Sequence, residues 1–206
     1  MHSEIHHPLI ESLVNSLRNN ATNAYIFRQT IKELTKLLLY EALRDAPLIS
    51  KNVFTWNGEK QYAFLEEENI IIVSVLRAAL PMHEAVIDTL HGAVSGFLGI
   101  KRDESTYKSV LYYDRVGECA GKKVILVDPM VASGGSLCDA IKILKEKKVA
   151  SIATLNIIAS PEGVANVENQ YPEVKMFIAK IDEKLNEKKF IIPGLGDAGD
   201  RAYNTL

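Results

Sequence analysis

Val124 to Ser136 reads VILVDPMVASGGS. Its first four residues are apolar, three of them β-branched, which favours a buried strand. An acid, a proline and a small-residue turn ending Gly134-Gly135-Ser136 follow. Leu137, Ala140, Ile141 and Leu144 then fall at i, i+3, i+4 and i+7, one apolar face of a helix. Ile152 to Ile158 (IATLNII) is a second strand-like run. Strand, tight loop, helix and strand within this length predict a βαβ unit and a parallel α/β sheet.

The loop carries the chemistry. Ser133, Gly134, Gly135 and Ser136 can present consecutive backbone N–H groups at a helix start, and the glycines let the chain curl without an obstructing Cβ. Such a terminus favours a phosphate or similar anion. Asp128, at the strand end, can accept hydrogen bonds from hydroxyls but cannot help hold a phosphate, because the charges repel. An acid beside an anion cradle suits a ligand with both, such as a ribose 5-phosphate. The same residues also fit an ordinary βα turn with a strand-end acid, so both readings stand at this point. The stretch is neither a Gly-Lys-Ser/Thr P-loop nor a GxGxxG fingerprint.

Working outward, Ile70 to Leu76 (IIIVSVL) reads as a second buried parallel strand ending in Arg77, with Pro81 opening a helix to Leu90. An arginine just past a parallel strand's C-terminal end sits where open α/β sheets bind ligands, and its guanidinium can grip a diphosphate bidentately. Val94 to Ile100 is a third strand, and the charged, then alternating run Lys101 to Tyr113 reads as a solvated loop. Val174 to Ile181 closes the sheet. In Phe190 to Arg201 (FIIPGLGDAGDR) Pro193 and three glycines limit regular structure, while the apolar start predicts a tail that is tied down. A turn of that kind can display backbone groups toward the polar edge of a pyrimidine.

Toward the N-terminus, Leu9, Leu13 and Leu17 space a short helix over Pro8 to Arg18. Thr22 is the expected N-cap of a longer one reaching about Arg44, with Ile26, Phe27, Ile31, Leu34, Leu37 and Leu38 on one face. These helices are expected to cover a sheet edge or form a hood. Asn57-Gly58 within Val53 to Leu65 signals a hairpin, beside which Trp56 reads as packing. His2, His6 and His7, with Glu4, fit no zinc spacing and read as a surface segment.

Asp128-Pro129-Met130 and Ala132-Ser133-Gly134-Gly135-Ser136, behind an apolar strand, resemble the 5-phosphoribosyl 1-diphosphate (PRPP) loop of the phosphoribosyltransferases, and Asp-Pro-Met resembles the uracil branch. SVLRAALPM (74–82), GIKRDEST (99–106) and IIPGLGDAGDR (191–201) agree in the same order, as do HPLI at 7–10 and FR at 27–28, so the similarity spans nearly the whole chain. The resemblance implies one domain over 1–206 with the α/β, Rossmann-like parallel sheet of the type I phosphoribosyltransferase fold. It adds a hood from the N-terminal helices and C-terminal tail, and a β-hairpin flap over the site at Lys101 to Tyr113. The implied activity joins uracil to PRPP, giving UMP and diphosphate. Arg102 and Asp128 take the catalytic positions. Arg77, Arg102, Asp128, Pro129, Met130, Val131, Ala132, Ser133, Gly134, Gly135, Ser136 and Asp197 take those that bind PRPP, and Ile191, Gly196, Asp197 and Ala198 those that bind uracil. Mg²⁺ is implied as cofactor, bound through PRPP and water with no direct protein ligand. A homodimer or homotetramer is implied as well.

The sequence departs from the family at Ala79 and Pro81, where glycines are common. A methyl at Ala79 is expected to crowd the bound diphosphate, and Pro81 removes a backbone donor. Ser133 replaces a threonine and keeps the hydroxyl, and the end Ala202-Tyr203-Asn204-Thr205 replaces Phe-Gly-Thr. A PRPP- or nucleotide-sensing regulator of low activity, or a transferase for another base, are the alternative readings. Bulk properties narrow the class. With 206 residues, 47% hydrophobic and 24% charged, the chain suits one globular domain. A net charge of -2 provides no basic field for nucleic acid, so an anionic substrate must be held by local arginines and backbone dipoles. Cys119 and Cys138 form no framework spacing, and no apolar run reaches the ~18 residues of a membrane span. The expected setting is cytoplasmic.

Overall fold

The computed structural model describes residues 1–102 and 109–205, and the side chains of Arg102 and Ser109 stand outside that description. The chain opens with a short strand, β1 (His2–Glu4), followed by α1 (Pro8–Arg18) and α2 (Ala24–Ala42). His7 caps α1 by accepting the Leu9 N–H at 3.1 Å, and Pro8 fills the first turn, where a missing donor costs nothing. Asn23, not Thr22, caps α2: its Oδ1 accepts the Ile26 N–H at 3.0 Å. The buried face of α1 is Ile10, Val14 and Leu17, while Leu9 faces solvent. The leucine spacing and the Ile10 spacing both satisfy a helical period, and the sheet beneath selects the second.

β2 (Leu48–Thr55) and β3 (Gly58–Leu65) form an antiparallel hairpin whose two-residue tip is Trp56-Asn57, one position earlier than Asn57-Gly58. Gly58 carries the left-handed φ of +109°. Trp56 is 97% exposed, so it does not pack within this chain.

The sheet then builds as β4 (Ile70–Leu76), α3 (Leu80–Ile87), β5 (Val94–Arg102), β6 (Ser109–Arg115), β7 (Lys123–Val127), a two-residue β8 (Met130–Val131), α4 (Gly135–Glu146), β9 (Ser151–Ala159), α5 (Pro161–Gln170) and β10 (Lys175–Ile181). Across the sheet the order is β1-β10-β9-β7-β4-β5-β6, parallel except for β6, with β8 added beside β9. β10 therefore does not close the sheet. The N-terminal β1 pairs outside it, so His2–Glu4 is an edge strand rather than a free surface segment. The antiparallel β5–β6 pair is the base of the expected flap, whose tip at 103–108 lies outside the described residues.

Each face of the sheet is covered. α1, α2 and α3 bury Val14, Phe27, Leu34, Leu38 and Met82 against Ile72, Val127 and Ile157. On the other face α4 and α5 bury Leu137, Ile141, Leu144 and Val164 against Ile71, Leu126 and Ile178. The helix face read from Leu137, Ala140, Ile141 and Leu144 is the buried one. α2 also meets the C-terminal end of the chain, where β11 (Lys184–Leu185), β12 (Ile191–Ile192) and α6 (Ala198–Tyr203) follow. The tail is thus more regular than its glycines suggest. No helix among the described residues is long and apolar enough to cross a membrane.

Candidate active site

The strand order places the site. From β4 the chain steps one way to β5, then returns to the other side as β7, β9 and β10. The direction of winding reverses between β4 and β7, and open α/β sheets bind ligands outside the carboxyl ends of the strands at such a point. Ser74 of β4 pairs with Val127 of β7, and Leu76 with Gly99 of β5. Arg77, Asp128 and the end of β5 at Arg102 therefore leave the sheet side by side.

The loop after β7 is braced from α5. Gly134 has φ +75° and caps α4 with no side chain, so no side-chain cap takes up the first-turn N–H groups. The Ala132 carbonyl accepts the Ser160 hydroxyl at 2.7 Å, and the Ser133 carbonyl accepts the Asn166 amide at 2.8 Å. Ser160 in turn caps α5 by accepting the Gly163 N–H at 2.9 Å. The approach is close: a Cβ on Gly163 would lie 2.2 Å from the Ala132 oxygen, and one on Gly134 would lie 2.7 Å from the Gly163 oxygen. Pro129 is fixed as well, its carbonyl accepting the Ile157 and Ile158 N–H groups at 3.0 Å. Met130 and Val131, read as turn, pair with β9. The cradle is a rigid backbone surface.

Asp128 is half-buried at the mouth of this cradle. Its Oδ1 accepts the Met130 N–H at 3.3 Å, and its own carbonyl accepts the Asn156 amide at 2.8 Å. Desolvation pushes its carboxyl up to about 7, against the smaller pull of the Met130 N–H. Asp128 therefore changes charge near neutral pH.

Arg77 is exposed at the end of β4, with its side chain in no hydrogen bond among the described residues. The helix behind it is anchored by His83, buried between the Ser74 hydroxyl at 2.7 Å and the Ser95 hydroxyl at 2.9 Å and laid on Phe97. Burial pushes the His83 imidazole down, which favours the neutral ring. Ala79 is wholly buried in the apolar cluster with Met82, so its methyl is taken up by the core. Pro81 lies in the first turn of α3, where it contributes no N–H.

The tail reaches the same crevice. A Cβ on Gly199 would lie 3.8 Å from the Ala78 Cβ, next to Arg77, and 3.2 Å from Asp197 Oδ1. The Tyr203 phenol, raised mainly by burial and also by Glu84, feels the opposing charges of Arg28 and Arg77. Asp197 caps α6 by accepting the Asp200 N–H at 3.0 Å, Ile191 and Ala198 are buried, and Gly196 is exposed with φ +79°. Arg77, Asp128, the 129–136 loop and the 191–198 segment thus converge at one end of the sheet. Arg102 has only its backbone described. Sequence reasoning missed Gly163, Ser160 and Asn166. The Ser160-Pro161 pair was a readable helix start, but nothing local announces that it presses on a loop some 30 residues earlier in the chain.

Comparison with known proteins agrees with this arrangement. The family model described as uracil phosphoribosyltransferase matches residues 4–205. A uracil phosphoribosyltransferase of Aquifex aeolicus is 44% identical over 97% of this chain and 96% of its own length. Another, from Campylobacter fetus, is 44% identical over 98% and 97%. A solved structure of an Aquifex aeolicus protein superposes with a TM-score of 0.96 at 44% identity, covering 100% of this chain and 99% of that one. A hypoxanthine-guanine phosphoribosyltransferase of Bacillus anthracis shares the fold at a TM-score of 0.52 and 18% identity, over 77% of this chain and 80% of its own. With the family model and full-length relatives in agreement, this chain belongs to the uracil phosphoribosyltransferase family.

Proposed function

We propose that this protein, acting as one domain over residues 1–206, transfers the phosphoribosyl group of PRPP to uracil, producing UMP and diphosphate. The observation that carries the reading is the meeting of three segments at the β4/β7 reversal: an amide cradle with its acid, an exposed arginine, and a held turn with an exposed glycine. The amides of 132–136 receive the 5-phosphate, with Pro129, Met130 and Val131 forming the floor. Asp128 accepts the ribose hydroxyls, and Arg77 and Arg102 take the diphosphate. Ile191, Gly196, Asp197 and Ala198 face the base, Asp197 reaching PRPP as well.

In the reaction N1 of uracil bonds to C1 of the ribose as the C1–O bond to diphosphate breaks, through an oxocarbenium-like state. Little covalent help is needed, so catalysis rests on placement and on stabilising the leaving charge. The proposal includes a Mg²⁺ carried mainly by phosphate oxygens and water, which would neutralise charge on the diphosphate. Incubation with PRPP, Mg²⁺ and each of uracil, orotate, adenine and hypoxanthine tests the reading. Diphosphate release is expected with uracil, and release with another base alone, or with none, would overturn it.

The charge state of Asp128 makes this site pH-dependent. The carboxylate is the form that accepts two hydroxyls, so kcat/KM for PRPP is expected to rise between pH 6 and 8 as the carboxyl, at about 7, ionises. Asp128→Asn should weaken PRPP about tenfold at pH 8 and remove that rise. Stability should move the other way. A carboxyl raised from 3.8 to about 7 holds its proton longer in the folded state, so folding is favoured below the unfolded value and loses that contribution as pH rises through 7. Asp128→Asn should therefore melt higher than the parent at pH 8 and level with it near pH 4. Unaltered PRPP affinity would contradict the ribose assignment.

A cytoplasmic homodimer or homotetramer completes the proposal. The β2–β3 hairpin exposes Phe54 (84%) and Trp56 (97%), an apolar tip that a partner chain would cover. Sedimentation as a monomer at micromolar concentration would contradict association.

A further inference from the structure

We propose that Arg18, Asp182 and Arg201 are positioning residues that clamp the turn 193–197 and thereby set the affinity and selectivity for the base. The proposal rests on the assignment of that turn to the pyrimidine.

Asp182, directly after β10, is 1% exposed and pairs with Arg18 of α1, 19% exposed, through two bonds at 2.6 and 2.9 Å. The pair closes on one residue of the turn. Arg18 Nη1 donates to the Gly194 carbonyl at 2.7 Å, and Asp182 Oδ2 accepts the Gly194 N–H at 2.9 Å. Both backbone polar groups of Gly194 are thus satisfied by one ion pair. Gly194 itself has φ +66°, and a Cβ there would lie 2.2 Å from the Ile191 oxygen, so the turn has no room to relax.

The next residue is held by a second arginine. Arg201 of α6 donates to the Leu195 carbonyl at 2.8 Å, to the Asn19 carbonyl at 2.7 Å and to the Leu17 carbonyl, with its guanidinium 4.5 Å from the centre of the Phe27 ring. Its stem lies against Gly196, where a Cβ would meet the Arg201 Cδ at 3.3 Å. Asp197 is then fixed as the cap of α6. Between these held residues Gly196 is exposed and makes no hydrogen bond among the described residues. The result is a free peptide edge in a frame gripped on each flank and referred to the C-terminal end of α1.

Recognition by backbone groups has no rotamer to adjust, so its selectivity depends on how firmly the backbone is held. A buried ion pair is a poor source of net stability compared with apolar side chains of equal volume, but it fixes geometry. That difference separates a positioning role from a structural one.

Asp182→Asn is expected to raise KM for uracil about tenfold, and to narrow the preference for uracil over cytosine, with KM for PRPP within about twofold of the parent. Arg18→Met combined with Asp182→Leu removes both charges and both Gly194 bonds; it should lower the melting temperature and leave uracil KM at least as high as in Asp182→Asn. If Asp182→Asn does not fold, Arg201→Lys, which keeps charge and loses the fork, carries the same prediction. Parent-like uracil KM in these variants, an equal rise in PRPP KM, or a double variant that recovers both stability and uracil KM would overturn the inference while leaving the base assignment intact. Gly196→Ala tests that assignment separately. If it leaves uracil KM unchanged, or if the parent protein does not turn over uracil, the assignment and this inference fail together.

Discussion

Replacing Gly163 by alanine is expected to lower kcat/KM for PRPP by about 10²-fold, the effect of a roughly 1 Å displacement at a reacting group. The added methyl would sit 2.2 Å from the Ala132 carbonyl oxygen and 2.7 Å from that of Val131. Backbone oxygens cannot swing aside as a side-chain end can, so either α5 retreats or the cradle deforms. The Ser160 cap and the Asn166 bond tie the two together, which directs the strain into the loop. Overpacking of this kind also destabilises by about 1–3 kcal/mol, a loss of several degrees in Tm for a chain of this length. KM for uracil at saturating PRPP should change less, because the added methyl meets the carbonyls of Val131 and Ala132 and not the 193–197 turn. Steady-state kinetics with each substrate varied separately would check this, and parent-like PRPP kinetics would show that the loop does not hold the phosphate.

Arg102→Ala should lower kcat by about 10²-fold, the scale of losing one charge-stabilising donor at a developing anion. Arg102 ends β5, whose neighbour β4 ends at Leu76 just before Arg77, so the two arginines leave adjacent strands. Negative charge accumulates on diphosphate as the C1–O bond breaks, so a guanidinium there acts more on the transition state than on bound PRPP. The loss should therefore fall on kcat, with a smaller change in PRPP KM. Arg102→Lys should recover only part of it, since an ammonium supplies charge without the paired donors. Unchanged turnover in the alanine variant would remove Arg102 from the mechanism.

Much of this architecture was legible because it is written in local periodicity. Ile70–Leu76 and Val124–Val127 are apolar through their length as buried parallel strands must be, and Leu137, Ala140, Ile141 and Leu144 mark the buried face of α4. Where two local readings were equally good, tertiary packing decided: Ile10 over Leu9, Asn23 over Thr22, a Trp56-Asn57 tip over Asn57-Gly58. The strand at His2–Glu4 had no such signal, since three polar residues become a strand only because β10 offers an edge. The site divides the same way. Asp128 and the glycines announce themselves, but the Arg18–Asp182 pair joins residues 164 apart in the chain, and the Gly163 contact is invisible until α5 is laid on the loop. Ala79 shows the reverse case. A methyl that looks obstructive in sequence is absorbed by the core once α3 is placed.

The central claim is that peptide amides at the start of α4 take the sugar's phosphate while Asp128 takes its diol. A crystal structure with ribose 5-phosphate at pH 8 tests it most directly. The account predicts the phosphate against the N–H groups of 133–136 and both ring hydroxyls on the Asp128 carboxylate. Sugar bound elsewhere, or seated with its diol turned away from Asp128, would contradict it.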